Sequence, residues 1–377
     1  MARNIKVCMV VKDMSQTLKV YGGFLQPLLS YRQRLMDVGI EVRMCGRPDV
    51  ASMEADVFVF VSKVFTKELE TGETDIILRE LVESRRRSNV TIWFDNEDSS
   101  ANAQFFVMPC VDRYLKAFLL KNKTEYTNGF YGGRIYTDYY HRTFLVEDSR
   151  PYISQSLKVE HASKLHVGWN YSLNYYGKYA KVLYHLKKIT TFKYWPMLEQ
   201  CARNLDRHQQ PVTSKSLISM RFSSQHARET IAFQRKSLNK QGSLMGISIG
   251  TVNYQTYTRE LVRSRICVSP FGWGEACFRD YEAMLAGAAL LKPDMSHLVT
   301  FPDIYVPHQT YEPFSWDLKD FKETLIQLLE NDRWRVLAKH ASTTYFDHLY
   351  SDDRKNAFCE HVANALNCRD ESSVNNN

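Results

Sequence analysis

The sequence predicts an α/β protein made of two successive strand–helix halves, and three observations carry that expectation. Short apolar strands alternate with helical stretches over residues 5–98, the same alternation returns over 216–292, and a polar stretch, Asn204–Lys215, separates the two runs. Alternation of this kind argues for parallel sheets covered by helices on both faces. At 377 residues the chain is long enough for two cores of ordinary size. Hydrophobic residues at 44% and charged residues at 24% exclude the disordered and fibrous classes.

In the first half, Ile5–Val11 reads as a buried strand. Tyr21-Gly22-Gly23 follows and opens a helical stretch through Leu35, and Gly39 leads into a strand over Glu41–Cys45. Asp56–Val61 is another apolar run, Thr74–Arg87 an amphipathic helix, and Val90–Phe94 a strand ending in Asp95-Asn96-Glu97-Asp98. Ligands of such sheets bind beyond the carboxyl ends of the strands. Gly22, Gly23, Asp95 and Glu97 occupy that kind of position.

Residues 122–180 hold ten tyrosines with little periodicity. A phenol offers a flat apolar face and a hydroxyl, which suits an irregular wall of a carbohydrate-binding cleft. The same composition also suits a packed connection whose tyrosines satisfy buried polar groups.

In the second half, Ser216–Phe222 reads as a strand, Arg228–Asn239 and Tyr257–Arg263 as helices, and Arg265–Pro270 as a strand. A helix over Glu275–Ala286 and a strand over Ala288–Lys292 follow, and Leu318–Leu366 is mostly helical. The final residues, RDESSVNNN, are expected to fray.

Several function classes drop out. No apolar run approaches the roughly 20 residues that span a bilayer, and the first residues lack the apolar core and cleavage site of a signal peptide. A cytoplasmic protein is the expectation, with at most peripheral membrane association. The eight cysteines show no CxxC and no Cys/His cluster, so neither a disulfide framework nor a metal site is predicted. No GxGxxG follows the first strand and no P-loop occurs, which disfavours a dinucleotide-dependent oxidoreductase and a P-loop kinase. The lysines and arginines are dispersed, against a nucleic-acid binder. A net charge of +7 is compatible with anionic ligands.

The most informative stretch is Arg265–Asp294. A strand runs into a loop with Gly272 and Gly274, and a helix begins. Glycines let a backbone approach a ligand closely, and the unpaired N–H groups of a first helical turn favour an anion. Glu275, Arg279 and Glu282, spaced by four and three, would share a helix face. A guanidinium there suits phosphate, and a carboxylate suits ribose hydroxyls. Taken alone, such a stripe is equally a set of solvated intrahelical ion pairs.

Ser269-Pro270-Phe271-Gly272-Trp273-Gly274-Glu275, Arg279, Glu282 and Ala286-Gly287 together resemble the donor-binding signature of GT-B glycosyltransferases of the exostosin-like and group 1 type. The match covers about thirty residues, and Phe-Gly-Trp-Gly-Glu departs from a plain Glu-Gly-Phe-Gly loop. The resemblance implies two Rossmann-like domains facing across a cleft, with C-terminal helices returning to the first. Residues 1–205 would bind the acceptor, 206–345 the nucleotide-sugar donor, and 346–377 would pack back on the first domain and end in a frayed tail. It implies a metal-independent transfer of a hexosyl or pentosyl group to a glycan acceptor hydroxyl, with no cofactor beyond the donor substrate. Glu282 would hold the donor ribose. Arg279 and the loop amides, with Ser269, Phe271, Gly272, Gly274 and Glu275, would hold the diphosphate, joined by Arg221 and Arg228.

For the first domain, Tyr131-Gly132-Gly133-Arg134 leads into Asp138 and His141, a carboxylate and an imidazole in one short segment. A general base that deprotonates an acceptor hydroxyl needs such a group, so Asp138 is the first candidate and His141 the second. Gly22, Gly23, Asp95, Glu97, Tyr131 and His166 are the candidates for acceptor contact. The alternative from another class is a non-catalytic carbohydrate-binding protein with a tyrosine-rich cleft, which would not need an Arg/Glu helix beside a glycine loop.

Overall fold

A computed structural model describes residues 4–11, 22–47, 53–174, 176–177, 179–190, 194–207 and 215–366. Tyr21, Tyr175, most of the polar stretch before Lys215 and the terminal RDESSVNNN lie outside the described residues. No described helix is long and apolar enough to cross a membrane.

The first half opens with β1 (Ile5–Val11), then helices α1 (Gly22–Ser30) and α2 (Arg32–Asp37), β2 (Ile40–Gly46) and β3 (Val57–Val61). Helices α3 (Thr66–Thr71) and α4 (Thr74–Ser84) lead to β4 (Val90–Asp95), β5 (Arg113–Lys116) and β6 (Phe118–Leu120). Helix α5 (Ile135–Phe144), β7 (Leu165–Val167), α6 (Ala180–Ile189) and α7 (Trp195–Arg207) complete it. Six of these strands form a parallel sheet in the order β2-β1-β3-β4-β5-β7. β3 and β4 are buried at every position. Parallel strands covered on both faces read as unbroken apolar runs for this reason, and that is why they were visible in the sequence.

The second half holds β8 (Leu217–Ser219), α8 (Glu229–Leu244), α9 (Tyr254–Val262), β9 (Ser264–Val268), α10 (Phe278–Leu285), β10 (Ala289–Pro293), β11 (Leu298–Thr300) and β12 (Glu312–Phe314). Helices α11 (Phe321–Leu329), α12 (Arg333–Tyr350) and α13 (Asp352–Leu366) close the chain. β12-β10-β9-β8 is a second parallel sheet, and a parallel bridge from Met220 to Ile249 extends it beyond β8. With Ile249 counted in the place of a second strand, this sheet repeats the order of β2-β1-β3-β4-β5. Each half therefore reverses its strand order once, between β1 and β3 and between β8 and β9.

The closing helices tie the halves together. Trp334, Leu337 and Ala338 of α12 pack in a cluster confined to the second half, whereas Ala341, Tyr345 and Leu349 of the same helix pack in a larger cluster that both halves share. Toward its end the helix touches the first half, where the Tyr345 hydroxyl donates to the Ser172 carbonyl at 2.6 Å. α13 lies on the first half: Arg34 on α2 pairs with Asp352 at 2.7 Å, and Arg113 on β5 donates to the carbonyl of Asn364 at 2.6 Å. Two parallel α/β sheets with a C-terminal helix returning to the first is the GT-B architecture.

Two expectations change. The helix expected from Glu275 starts at Phe278, with Cys277 as its N-cap and Asp280 closing a capping box, so Glu275 lies in the preceding loop and off the helical stripe. Cys8 and Cys45 form a disulfide across β1 and β2 (Cα–Cα 6.2 Å), where free thiols were expected. Cysteines 37 residues apart become neighbours once the parallel register aligns Ile5 with Ile40.

The halves meet in direct contact. β6 pairs antiparallel with β11, joining the first half to the second. Glu275 is fully buried and accepts from the Ser100 amide (3.1 Å) and hydroxyl (2.5 Å), with His297 3.9 Å away. Burial opposes its ionisation, but His297 and the Ser100 donors outweigh that and hold its carboxyl below the ordinary glutamate value. Because the folded pKa is depressed, the stability this group contributes is present above the unfolded value of 4.5 and is lost as pH falls through the folded one. Glu275→Gln should therefore destabilise the protein at pH 7 by about 1–3 kcal/mol, the cost of a mismatched buried polar group. Denaturant unfolding of both proteins should show that gap narrowing below pH 4.5. A gap independent of pH would remove the charge from the explanation.

Candidate active site at the junction of the two sheets

The carboxyl ends of β4 and β9 run into loops that touch. A side chain built on Gly274 would place its Cβ 1.7 Å from the carbonyl oxygen of Asp98, so only glycine allows the approach. The second sheet reverses its order beside this contact, where β8 gives way to Met220–Ser223 and β9 to Ser269–Gly274. Ligands of doubly wound sheets bind at such a reversal.

Three arginines converge there without a carboxylate. Arg235 of α8 donates from Nε to the Phe271 carbonyl (2.8 Å) and from Nη1 to the Ser223 carbonyl (2.9 Å). Arg279 of α10 donates from Nη2 to the Arg221 carbonyl (3.1 Å), while its Nε is buried with no hydrogen-bond partner. Arg134, from the first half, donates from Nε to the Trp273 carbonyl (2.6 Å) and lies over the Trp273 ring at 5.2 Å. Among the described residues none of the three is ion-paired to a carboxylate. Burial and then the neighbouring Arg279 push Arg235 below the ordinary arginine value, though a guanidinium keeps its charge. His226, in edge contact with Trp273 (ring centroids 4.4 Å apart), reports the same field. Burial, followed by Arg235, Arg134 and Arg228, lowers it to about 4 and leaves it neutral at pH 7. The geometry makes a concentrated positive potential at the start of a helix.

Around it stand polar groups of other kinds. One oxygen of Glu282 accepts from the Tyr257 hydroxyl at 2.7 Å, and burial raises its pKa. Phe278 is 58% exposed and stacks on Tyr176. Trp273 is 50% exposed. On the other side of the junction, Glu97 adjoins Asp98, which pairs with Lys63 at 3.1 Å. Burial lifts Glu97 to about 7, Lys63 pulls down, and Asp95 and Asp98 push up. A carboxyl group that titrates near neutrality is suited to proton transfer.

Of the residues singled out in the sequence, Arg279, Glu282, Phe271, Gly272, Gly274 and Glu97 do meet at this junction. Others are occupied elsewhere. Arg221 forms a two-point pair with Glu260 (2.6 and 3.0 Å), and Arg228 pairs with Asp148 at 3.2 Å and lies over Tyr152. Ser269 donates to Asp280, whose carboxylate also meets Lys292, both fully buried. Asp95 is likewise sealed: one oxygen meets Lys116 (2.8 Å) and accepts from the Tyr114 hydroxyl, and the other accepts from the Glu97 amide (3.0 Å).

Asp138 accepts from the Tyr131 amide and pairs with Arg142. His141 stacks on Tyr131 (3.8 Å) and its Nδ1 meets the Val146 carbonyl. Both belong to the internal bonding of α5 and its flanks, and it is Tyr136 of that helix that reaches the loop, donating to the Gly272 carbonyl at 2.7 Å. Tyr131 is buried, with its hydroxyl accepting from the Asp148 amide. His166 lies on β7, opposite Leu115, at the outer edge of the first sheet. Gly22 and Gly23 open α1, where a Cβ on Gly23 would stand 2.8 Å from that of Tyr171.

Two tyrosines of 122–180 follow the packed reading: Tyr126 donates to the Ser100 carbonyl and Tyr140 to that of Trp316, and both are buried. Arg134, Arg235 and His226 carried no motif of their own. For Arg134 the available signal was the preceding Gly132-Gly133 pair, which takes left-handed φ values of 68° and 70° and turns the chain toward the second half. Among the described residues no group of three or more His, Cys, Asp and Glu side chains is placed to hold a metal ion.

No protein-family model and no curated protein matches the chain. It is similar in structure to HepE of Anabaena, solved in complex with UDP-glucose (9% identity, 96% of this chain and 100% of that chain, TM-score 0.40). It is also similar to a glycosyltransferase of Rickettsia africae (10%, 97% and 100%, TM-score 0.44) and to the sucrose-phosphate synthase of Thermosynechococcus elongatus (10%, 96% and 99%, TM-score 0.41).

Proposed function

We propose that the chain is a glycosyltransferase that moves a sugar from a nucleotide-diphosphate sugar to a hydroxyl of a glycan acceptor, with arginines in place of a metal ion at the leaving group. The observation that supports it is the convergence of Arg134, Arg235 and Arg279, none of them paired with a carboxylate among the described residues, at the strand-order reversal of the second sheet. Three uncancelled guanidinium groups beside a glycine loop match a diphosphate, which they bind with directional, charge-assisted bonds. In this reading residues 206–345 hold the donor, 1–205 the acceptor, and the last helix returns to the first half. Glu282, steadied by Tyr257, takes the donor ribose.

The reaction breaks the bond between the anomeric carbon and the diphosphate oxygen and joins that carbon to the acceptor oxygen. Charge that develops on the departing diphosphate is stabilised by Arg235 and Arg279, which are already oriented before the reaction begins. The acceptor's proton passes to Glu97. Asp138 and His141, the candidates by sequence, are both bonded within their own segment, and Glu97 takes their place. A binding protein without catalysis would be favoured by open tyrosine faces, whereas Tyr126, Tyr131, Tyr136 and Tyr140 are buried.

Arg235→Ala and Arg279→Ala should each weaken binding of the matching nucleoside diphosphate by about 10- to 100-fold, the worth of one charge-assisted bond. Calorimetric titration with UDP, GDP and dTDP checks this, and undiminished affinity in both variants would sink the reading. Transfer by the wild type should rise with pH and level off above about 7. Glu97→Gln should lose about 100-fold or more of the rate with nucleotide affinity retained. The sign for stability is opposite. Its folded pKa is raised, so ionised Glu97 costs stability that grows from the unfolded value of 4.5 to about 7. Glu97→Gln should therefore raise the melting point at pH 8 and leave it unchanged at pH 4. An unaltered pH–rate profile in this variant would assign the proton to another group.

A further inference from the structure

Helix α8 brings Arg235 to the junction, yet its own N-cap residue does not cap it. Arg228 stands at that position with no side-chain bond to the first turn, and a guanidinium offers no acceptor. The first half supplies the missing group. Asp148, in the segment after α5, is 5% exposed. One of its oxygens accepts from the Thr230 amide (2.9 Å) and hydroxyl (2.8 Å), and the other from Arg228 (3.2 Å). Glu229, in the first turn of α8, accepts in return from the Ser149 amide at 2.9 Å. Carboxylates and amides paired reciprocally at a helix start form a capping box, here divided between segments 80 residues apart. One turn on, Gln234 donates to the Tyr140 hydroxyl of α5 and accepts from the Phe271 amide (2.9 Å), while Arg235 donates to the Phe271 carbonyl (2.8 Å). Both backbone polar groups of Phe271, and with them the start of the glycine loop, are thus held from the turn that follows the cap.

We infer, building on the transfer reading above, that Asp148 is a positioning residue for the donor site: by capping α8 from the opposite half it sets Arg235 and the Phe271 loop for the leaving diphosphate. Its own oxygens are engaged by Thr230 and Arg228, so it acts through the helix and not on the ligand. A carboxylate at this end satisfies an orphan amide and complements the positive pole of the helix. Asp148 is fixed in turn, since its amide donates to the hydroxyl of the buried Tyr131 at 2.7 Å. The acceptor half therefore influences donor binding by two routes, directly through Arg134 and at one remove through Asp148.

Calorimetric titration with UDP, GDP and dTDP and hydrogen exchange test this. Asp148→Ala should weaken binding of the nucleotide that the wild type takes by about tenfold, the worth of a lost cap. Asp148→Asn keeps an acceptor for the Thr230 amide and should return affinity to within about threefold of the wild type. Because the loss acts through Arg235, Asp148→Ala should change affinity by less than about twofold in an Arg235→Ala background. Without nucleotide, exchange in Asp148→Ala should quicken over residues 229–236 and 269–275 and stay unchanged over 57–61 and 90–95. Asp148→Ser, too short to reach Thr230 from the same backbone, carries the same expectations where the alanine variant does not fold. Undiminished affinity in Asp148→Ala beside a loss in Arg235→Ala would overturn the positioning role and leave the transfer reading intact. So would a loss that Asp148→Asn does not repair, or one that adds in full to that of Arg235→Ala. Where the wild type binds no nucleotide, the transfer reading fails, and unchanged exchange over 269–275 decides against Asp148 independently.

Discussion

The buried carboxylate of Glu275 is the constraint on which the rest of the junction depends. A charge enclosed among protein atoms is tolerated only where donors surround it, and Ser100 supplies two from the opposite half. That requirement fixes the loop after β4 against the loop after β9 within hydrogen-bond tolerance. Everything nearby follows from the register it sets: Gly274 has no room for a side chain against Asp98, Tyr136 reaches Gly272, and Arg134 reaches Trp273. Glu275 thus holds the site together without forming part of the anion-binding group, as its place outside the helix already suggested.

The distribution of charge has a second logic. Among the described residues each half encloses a lysine–aspartate pair with no exposure at either partner, Asp95–Lys116 in the first and Asp280–Lys292 in the second. Replacing such pairs by apolar residues is often neutral or stabilising, so they are poor evidence of stability. Their position carries more information. Both stand where a strand ends at the junction, and both cancel their charge internally. Arg221 and Arg228 are cancelled as well, by Glu260 and Asp148. Against these paired charges, Arg134, Arg235 and Arg279 stand out as cations that, among the described residues, meet no carboxylate.

The sequence shows its strands because burial on both faces writes a strand as an apolar run, and β1, β3, β4 and β9 read that way. It shows the glycine turn and the helix with Arg279 and Glu282, because those features are local. It does not show which polar residues are spent on internal partners. Asp95 and Glu97 stand two residues apart, yet one is sealed by Lys116 and the other is lifted toward neutrality by its neighbours. Only the fold brings residue 116 to residue 95. The same holds for Asp138, whose nearness to His141 in sequence suggested catalysis although the backbone of Tyr131 and the side chain of Arg142 were its partners. Glu275 was placed one turn too far into its helix because the capping function falls to Cys277 and Asp280, and cysteine is a weak signal for a helix start.

Arginines left unpaired beside one another carry a cost. Like charges repel, and carbonyl dipoles compensate less than carboxylates would; burial first, and then Arg279, lowers Arg235. Arg221 and Arg228 have carboxylate partners, whereas this repulsion stands where the second sheet reverses its order. The Nε of Arg279, enclosed and without an acceptor, makes the same point atom by atom, since an unsatisfied buried donor costs about 1–3 kcal/mol. An anion seated there removes both penalties at once. On the proposed reading, part of the free energy that donor binding releases comes from relieving that repulsion and that unsatisfied donor.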